Sequence, residues 1–221
     1  MAVLRLLAVT ASAALAAAQQ SVSFPTGDGG LLYADLYGSG NRGVVLAHGG
    51  RFNKESWRDQ AKALVAGGFQ VLAFDFRGVG RSHGPGLASD EPPFDKDVLA
   101  AVRYLKTHGA TTVSVVGGSF GGAAAGDAAI ESPGEIERIV FLGAAPDLPA
   151  GTLHSRSLFI VARDDSNGAG PRLPGIRKQY EAAPKPKELI VLDGSAHAQL
   201  LFATDHRERI MREILRFLSA P

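Results

Sequence analysis

The sequence predicts an α/β fold with a mostly parallel, eight-stranded sheet and helices on both faces. Short, continuous apolar runs alternate along the chain with segments of helical period, as expected for strands that are buried on both faces of a parallel sheet. The length of 221 residues, with 45% hydrophobic and 20% charged residues, suits one globular domain with a single core. No internal repeat or low-complexity tract interrupts this pattern.

The predicted elements begin with a hairpin and then alternate. Residues 21–37 are predicted to form two strands around the turn at 26–30, where glycine and aspartate favour an antiparallel connection. The further strands are predicted at residues 43–47, 69–74, 112–116, 139–142, 157–161 and 189–192. The helices are predicted at residues 56–66, 95–107, directly after Ser119, at 176–181 and at 204–218. Because helices alternate with strands after the hairpin, the sheet is predicted to be parallel there.

The first residues are typical of an export signal. Arg5 precedes an apolar run of mostly small residues, and Ala16 and Ala18 form an A-x-A-like cleavage site. We therefore predict a signal peptide over residues 1–18, a mature domain over residues 19–221, and a secreted or periplasmic location. The alternative is a membrane anchor that stays attached, although a spanning helix needs about 20 apolar residues and this run is shorter.

Charge and cysteine content exclude several classes of function. There are 23 Lys and Arg residues against 22 Asp and Glu residues, and the net charge of +1 provides no field that attracts nucleic acid or anionic lipid. The chain has no cysteine, which excludes disulfides, thiolate zinc sites and a cysteine nucleophile. We expect a small-molecule substrate, no nucleic-acid partner, and no stable membrane association once the leader is removed.

A candidate nucleophile follows the predicted strand at residues 112–116. The segment 117–121 reads G-x-S-x-G, with Ser119 at its centre. In a sharp turn from strand to helix, the glycines leave room for close packing and the strained backbone presents the serine hydroxyl. The pattern alone is short, and the strand before it and the helix after it give it weight. The alternative is a glycine-rich turn with an incidental serine.

A candidate base and a candidate acid follow other predicted strands. In parallel sheets of this type, ligands lie beyond the carboxyl ends of the strands. His197, one of six histidines, comes just after the last predicted strand. Asp164 and Asp165 follow the strand at residues 157–161, and Asp147 follows the strand before that one. The chain order of serine, aspartate and histidine is the one expected when a G-x-S-x-G serine is the nucleophile.

Together these motifs resemble the α/β-hydrolase superfamily over about residues 21–218. Besides the G-x-S-x-G turn and His197, the pair His48-Gly49 and the segment 75–82, which reads D-x-R-G-x-G-x-S, carry the resemblance. The run 48–52 followed by Trp57 is similar to a small branch without a cap domain. Only residues 143–156 separate the two strands between which many members insert that cap, so an open site is expected.

The resemblance implies roles for particular residues. It implies Ser119 as the nucleophile and His197 as the base, and the G-x-x-D spacing of the family, with Ala162 in the place of the glycine, favours Asp165 over Asp164 as the acid. It also implies an oxyanion hole, which we assign to the backbone N–H groups of Gly50 and Phe120. His48 is expected to order its loop.

Arg51 departs from the family pattern. Its guanidinium lies near the expected mouth of the site and could hold a carboxylate or phosphate of the substrate. The alternative is a surface salt bridge.

The predicted function is hydrolysis of carboxylic esters with short acyl chains. The reaction is predicted to pass through an acyl-enzyme formed by Ser119, with no metal and no organic cofactor. The alternatives are a serine peptidase or thioesterase on the same fold, and a non-catalytic binding module that retains the scaffold.

Overall fold

The computed structural model describes residues 19–90 and 92–221, and an eight-stranded sheet flanked by helices is its main feature. The predicted leader, residues 1–18, lies outside the described residues. The strands of the main sheet are β1 (Gln20–Pro25), β2 (Leu31–Tyr37), β3 (Arg42–Ala47), β4 (Gln70–Phe74), β5 (Thr112–Gly118), β6 (Arg138–Leu142), β7 (Arg156–Ala162) and β10 (Lys187–Leu192). A separate hairpin consists of β8 (Ser166–Asn167) and β9 (Gly170–Pro171). The α-helices are α1 (Arg58–Ala66), α2 (Phe94–Thr107), α3 (Phe120–Glu131), α4 (Leu173–Ala182) and α5 (Arg207–Ser219).

The order of the strands places the ends of β3 and β5 side by side. The spatial order is β1-β2-β4-β3-β5-β6-β7-β10, and β2 runs antiparallel to both of its neighbours, β1 and β4. The pairs from β4 to β10 are parallel, which confirms the predicted mostly parallel sheet of eight strands. Ala47 pairs with Gly117, so the loops that leave β3 and β5 begin at the same edge.

Both faces of the sheet are buried, as the continuous apolar strands predict. Val45 and Ala47 belong to a core cluster that also contains buried residues of α2, α3 and α4. Val44 and Leu46 point to the opposite face and belong to a second cluster that contains buried residues of α1 and α5. Successive residues of a strand face opposite sides. An apolar run without polar alternation is therefore needed here.

Two predicted segments differ from the structure. The last predicted helix, at residues 204–218, begins later, at Arg207, because the Thr204 hydroxyl accepts the N–H of His206 in a turn, and a 3₁₀ helix (Ala198–Ala203) precedes it. Residues 166–174, for which no helix or strand is predicted, contain the β8–β9 hairpin and the start of α4. No helix in the described part of the chain combines the length and the hydropathy needed to cross a membrane.

The connection between β6 and β7 keeps the carboxyl edge of the sheet open. Residues 143–155 make this connection, and the described helical structure in it is the single 3₁₀ turn Ala150–Thr152. A segment of this length cannot form a separate cap. The expectation of a fold without a cap domain is confirmed for this connection.

A buried guanidinium ties three segments together behind the edge of the sheet. The side chain of Arg77 is fully buried and donates two hydrogen bonds from its Nη atoms to Asp28, in the β1–β2 turn, at 2.8 and 3.1 Å. Its Nε and Nη2 atoms donate to Asp97 of α2 at 2.9 and 2.6 Å. The hydrogen bonds from Arg77 lower the pKa of Asp28 from 3.8 to about 2. The ionised carboxylate of Asp28 therefore stabilises the folded chain.

The pH dependence of stability tests this network. Because the pKa of Asp28 is lower in the folded chain than in the unfolded chain, its stabilisation is full above about pH 4 and disappears as the pH falls toward 2. We expect Asp28→Asn to lower the free energy of unfolding by about 2 kcal/mol at pH 7, and the difference from the wild type to shrink between pH 4 and pH 2.5. Urea denaturation at several pH values measures both. A difference that does not change with pH would contradict the assignment.

Candidate active site

Ser119 lies in the sharp turn between β5 and α3. Its backbone has φ 50° and ψ −126°, a strained conformation for a residue other than glycine. The turn is possible because α3 begins very close to the end of β3: a Cβ atom on Gly121 would lie 2.4 Å from the carbonyl oxygen of His48. Only glycine fits at this position. The half-buried Ser119 hydroxyl is thereby held at the carboxyl edge of the sheet.

His197 and Asp165 form a hydrogen-bonded chain with Ser119. The Nε2 atom of His197 lies 2.8 Å from Oγ of Ser119, and its Nδ1 atom lies 2.7 Å from Oδ2 of Asp165. The carboxylate of Asp165 is fully buried, whereas 26% of the His197 side chain is exposed. Gly143 packs against both groups, since a Cβ atom there would lie 2.9 Å from Nδ1 of His197 and 3.0 Å from Oδ2 of Asp165.

The structure separates the three candidate acids. Asp165 lies behind His197 after β7. Asp164, its neighbour in the chain, is exposed, and its backbone N–H donates to the carbonyl of Gly194. Asp147 is also exposed and lines a cavity beside Ser119. Among the three candidates, the histidine contact belongs to Asp165.

The hydrogen bonds determine the tautomer of His197. An ionised carboxylate can only accept, so Nδ1 carries the proton that is donated to Asp165. In the neutral ring, Nε2 then has a free lone pair, which accepts the hydroxyl proton of Ser119. This arrangement can remove the serine proton as the oxygen attacks an electrophile, and the resulting imidazolium faces a buried carboxylate.

Two backbone N–H groups beside Ser119 have no acceptor among the described residues. These are the N–H groups of Gly50, in the loop after β3, and of Phe120, the first residue of α3. The N–H of Gly49 is occupied, because it donates to Oε1 of Gln199 at 3.0 Å. A Cβ atom on Gly50 would lie 3.7 Å from the ring of Phe120, so the two residues are neighbours.

His48 orders the loop after β3. Its ring is fully buried, and this burial lowers the pKa of the imidazole, so the ring is neutral near pH 7. Its Nδ1 atom donates to the carbonyl of Gly49 at 2.9 Å, and its Nε2 atom accepts the N–H of Phe76 at 3.3 Å. The two bonds use both ring nitrogens and attach the loop to the segment that follows β4.

Gln199 is a residue of the site that the sequence motifs do not indicate. It lies two positions after His197 and is 6% exposed. While Oε1 accepts the N–H of Gly49, Nε2 donates to Oγ of Ser56 at 3.0 Å. It follows Ala198, which has φ 52°, so a strained turn directs His197 and Gln199 to their separate partners. The signal for Gln199 in the sequence is a single amide among the apolar residues 198–203.

A cavity of about 790 Å³ opens beside Ser119. It lies between the loop after β6 and the start of α4, and Arg172 and Lys178 contribute cationic side chains to its lining. Arg51 is exposed, lies outside the lining of this cavity, and makes no ion pair with a described residue. Arg172 is not among the residues that the sequence motifs indicate. The nearby turn signal in the sequence is the dipeptide Asn167-Gly168, and Gly168 and Ala169 form the two-residue turn between β8 and β9.

The comparisons with known proteins agree with the fold. A family model described as alpha/beta hydrolase fold matches residues 43–219. A non-heme haloperoxidase of Rhodococcus erythropolis is 34% identical over 126 residues, which cover 57% of this chain and 44% of that protein. A non-heme chloroperoxidase of Streptomyces lividans is 31% identical over 122 residues, which cover 55% and 44%. The chain thus spans less than half the length of these curated relatives.

Solved structures of low sequence identity share the architecture. An esterase of Pyrococcus furiosus, Pf2001, superposes with a TM-score of 0.75 at 20% identity, covering 91% of this chain and 92% of that one. The esterase EaEST of Exiguobacterium antarcticum superposes with a TM-score of 0.75 at 16% identity, covering 91% of this chain and 100% of that one. At these identities the similarity shows the fold alone.

Hydrogen exchange tests the role of Gln199. Replacement by Met removes the acceptor of the buried Gly49 N–H, and an unsatisfied buried donor costs about 1–3 kcal/mol. We expect Gln199→Met to make the Gly49 amide exchange at least about tenfold faster, as measured by NMR. Ser56→Ala is the matched control, because it removes the hydrogen bond at the other end of Gln199 and should leave Gly49 protected. Equal protection of the Gly49 amide in the Met variant and the wild type would refute the role of Gln199 in holding the loop after β3.

Proposed function

The chain belongs to the α/β-hydrolase family, and on this basis we propose that it is a serine hydrolase that cleaves carboxylic esters with short acyl chains. One observation carries the proposal. The Ser119 hydroxyl, the His197 ring and the buried Asp165 carboxylate form a continuous chain of two hydrogen bonds, at 2.8 and 2.7 Å. This is the geometry required of a nucleophile, a base and an acid that orients the base.

The first half of the proposed reaction forms the acyl-enzyme. Nε2 of His197 takes the proton of Ser119 as Oγ attacks the acyl carbon, and Asp165 stabilises the imidazolium. The N–H groups of Gly50 and Phe120 bind the oxyanion, since both are without an acceptor in the described chain. The oxyanion then collapses, the bond to the alcohol oxygen breaks, and His197 returns the proton to the departing alcohol.

The second half repeats these steps with water. His197 takes a proton from a water molecule, the water oxygen attacks the acyl carbon, and the bond to Oγ breaks. The carboxylic acid leaves and Ser119 recovers its proton. Every proton passes through Nε2 of His197. The His197 side chain is partly exposed, so a water molecule can reach it.

The open cavity favours two kinds of substrate, small esters and ester groups at the end of a larger molecule. The connection between β6 and β7 is short, and residues with small or apolar side chains dominate the cavity beside Ser119. The neighbouring loops therefore form the walls, with no cap over Ser119 among the described residues. From the predicted leader over residues 1–18 we further propose that the enzyme acts outside the cytoplasm.

Ester hydrolysis by a serine variant tests the proposal. On p-nitrophenyl esters from acetate to laurate, we expect residues 19–221 to be most active on the short chains. Ser119→Ala should lower kcat by about 10⁴-fold or more and abolish labelling by a fluorophosphonate probe. Ser219→Ala, an exposed serine at the end of α5, should change neither. An unlabelled wild type without esterase activity would favour the binding-module alternative.

A second candidate activity is halide oxidation, which the names of the haloperoxidase relatives favour. The same acyl-enzyme could transfer its acyl group to hydrogen peroxide. His197 takes a proton from hydrogen peroxide as the peroxide oxygen attacks the acyl carbon, the bond to Oγ breaks, and His197 returns the proton to Ser119. The product that leaves is a peroxy acid, which can oxidise halide.

Bromination of monochlorodimedone tests this activity. With hydrogen peroxide and bromide, we expect the rate to depend on added acetate, because acetic acid acylates Ser119 as its C–OH bond breaks and water leaves. The rate should be lost in Ser119→Ala, which cannot form this acyl-enzyme. The Ser219→Ala variant serves as the control. A rate that is independent of acetate or of Ser119 would reject this candidate without affecting ester hydrolysis.

A further inference from the structure

The cavity beside Ser119 has an uneven distribution of charge. Most of its lining consists of small or apolar residues from the loop after β6, the β8–β9 hairpin and α4. Its charged lining residues are two cations, Arg172 and Lys178, and one anion, Asp147. None of the three makes a salt bridge to another. The cavity wall is therefore apolar and carries two cations and one anion, and Arg172 also lies within ion-pair distance of the buried Asp165 carboxylate behind the wall.

The β8–β9 hairpin places Arg172 at the inner end of this wall. Ser166 pairs with Pro171, so the chain returns to Asp165, and the N–H of Arg172 donates to the Asp165 carbonyl at 2.9 Å. The side chain of Arg172 is 29% exposed, and its Nε atom lies 3.4 Å from Oδ1 of Asp165 without the geometry of a hydrogen bond. The backbone hydrogen bond and this ion pair together position Arg172 next to the carboxylate that orients His197.

The terminal nitrogens of Arg172 are available to a ligand. Its Nη1 and Nη2 atoms donate no hydrogen bond to a residue in the described ranges. A guanidinium presents paired N–H groups that match the two oxygens of a carboxylate. Lys178, on α4, adds a second positive charge without an ion pair to a described residue. Both cationic residues line the same cavity as Ser119.

We propose that this cavity is a subsite for a carboxylate group of the substrate, so that the enzyme prefers esters that carry a carboxylate in addition to the scissile bond. The carboxylate would lie against Arg172, with Lys178 adding long-range attraction, and the apolar wall would contact the carbon chain between the carboxylate and the ester. The inference rests on the proposed function, because it takes Ser119, which lines the same cavity, as the residue that attacks the ester. It assigns to Arg172 the substrate contact predicted for Arg51.

Matched pairs of esters test the subsite. Monoethyl adipate and ethyl hexanoate have acyl chains of the same length and differ in a terminal carboxylate, and 4-acetoxybenzoate and its methyl ester place the difference on the leaving group. We expect kcat/KM for the charged member of one pair to exceed that for the neutral member by about tenfold, as charge-assisted hydrogen bonds allow. The preference should shrink at high ionic strength. The pair that shows it identifies the side of the ester that occupies the cavity.

Variants of the cationic residues distinguish the subsite from an effect on the triad. Arg172→Gln should remove most of the preference, Lys178→Gln should reduce it, and Arg172→Lys should retain part of it. Because Arg172 lies next to Asp165, the ratio between charged and neutral esters is the readout, whatever the absolute rates are. Arg177→Gln, an exposed cation of α4 outside the cavity lining, should preserve the ratio.

The outcomes separate the two proposals. Hydrolysis of the neutral esters with no preference for either charged ester, or a preference that survives in Arg172→Gln, would overturn the subsite and leave ester hydrolysis standing. If no ester is hydrolysed and the fluorophosphonate probe does not label Ser119, the proposed function fails. Calorimetric titration with monoethyl adipate then decides the subsite: binding that Arg172→Gln weakens supports it, and equal or absent binding overturns it.

Discussion

The close contact between the start of α3 and the end of β3 is the constraint on which the arrangement around Ser119 depends. Gly121 leaves room for the carbonyl of His48. Gly117 leaves room for Gly122 in the same way, because a Cβ atom added to Gly117 would lie 2.6 Å from the Cα atom of Gly122. A strained backbone such as that of Ser119 costs of order 1–3 kcal/mol and persists only where its surroundings determine it. The N–H of Ser119 donates to the carbonyl of Leu142 on β6, which anchors the turn on its other side.

Buried polar groups behind the edge of the sheet support the loops at the front. Oδ1 of Asp75 accepts the N–H of Lys54 at 2.8 Å, and Lys54 in turn lies 3.3 Å from the buried carboxylate of Asp35. Burial raises the pKa of Asp75, and the adjacent positive charge of Lys54 opposes that shift. Together with Arg77, these contacts give the segment 75–82 a structural role. The segment that carries part of the family resemblance thus connects loops and lies outside the cavity lining.

Local patterns in the sequence predicted the parts of the structure that depend on residues close together in the chain. The strands buried on both faces and the turn at Ser119 follow from apolar runs and glycine spacing, and the placement of Asp165 at His197 agrees with the family's spacing. The contacts of Gln199 join residues 143 and 150 positions apart in the chain, so no local pattern reports them. The position of Arg172 depends on a hairpin with strands of only two residues. Such short strands give no detectable alternation.

The bridge made by Gln199 has a consequence for protein engineering. Loops at the rim of a parallel sheet are often exchanged one at a time to change specificity, on the assumption that each is independent. Here the loop after β3 and the loop that contains His197 share one amide side chain, which holds both from within the protein. They form a single exchangeable unit. Replacement of one loop without the other would break the hydrogen bonds between the Gln199 amide and its partners Gly49 and Ser56.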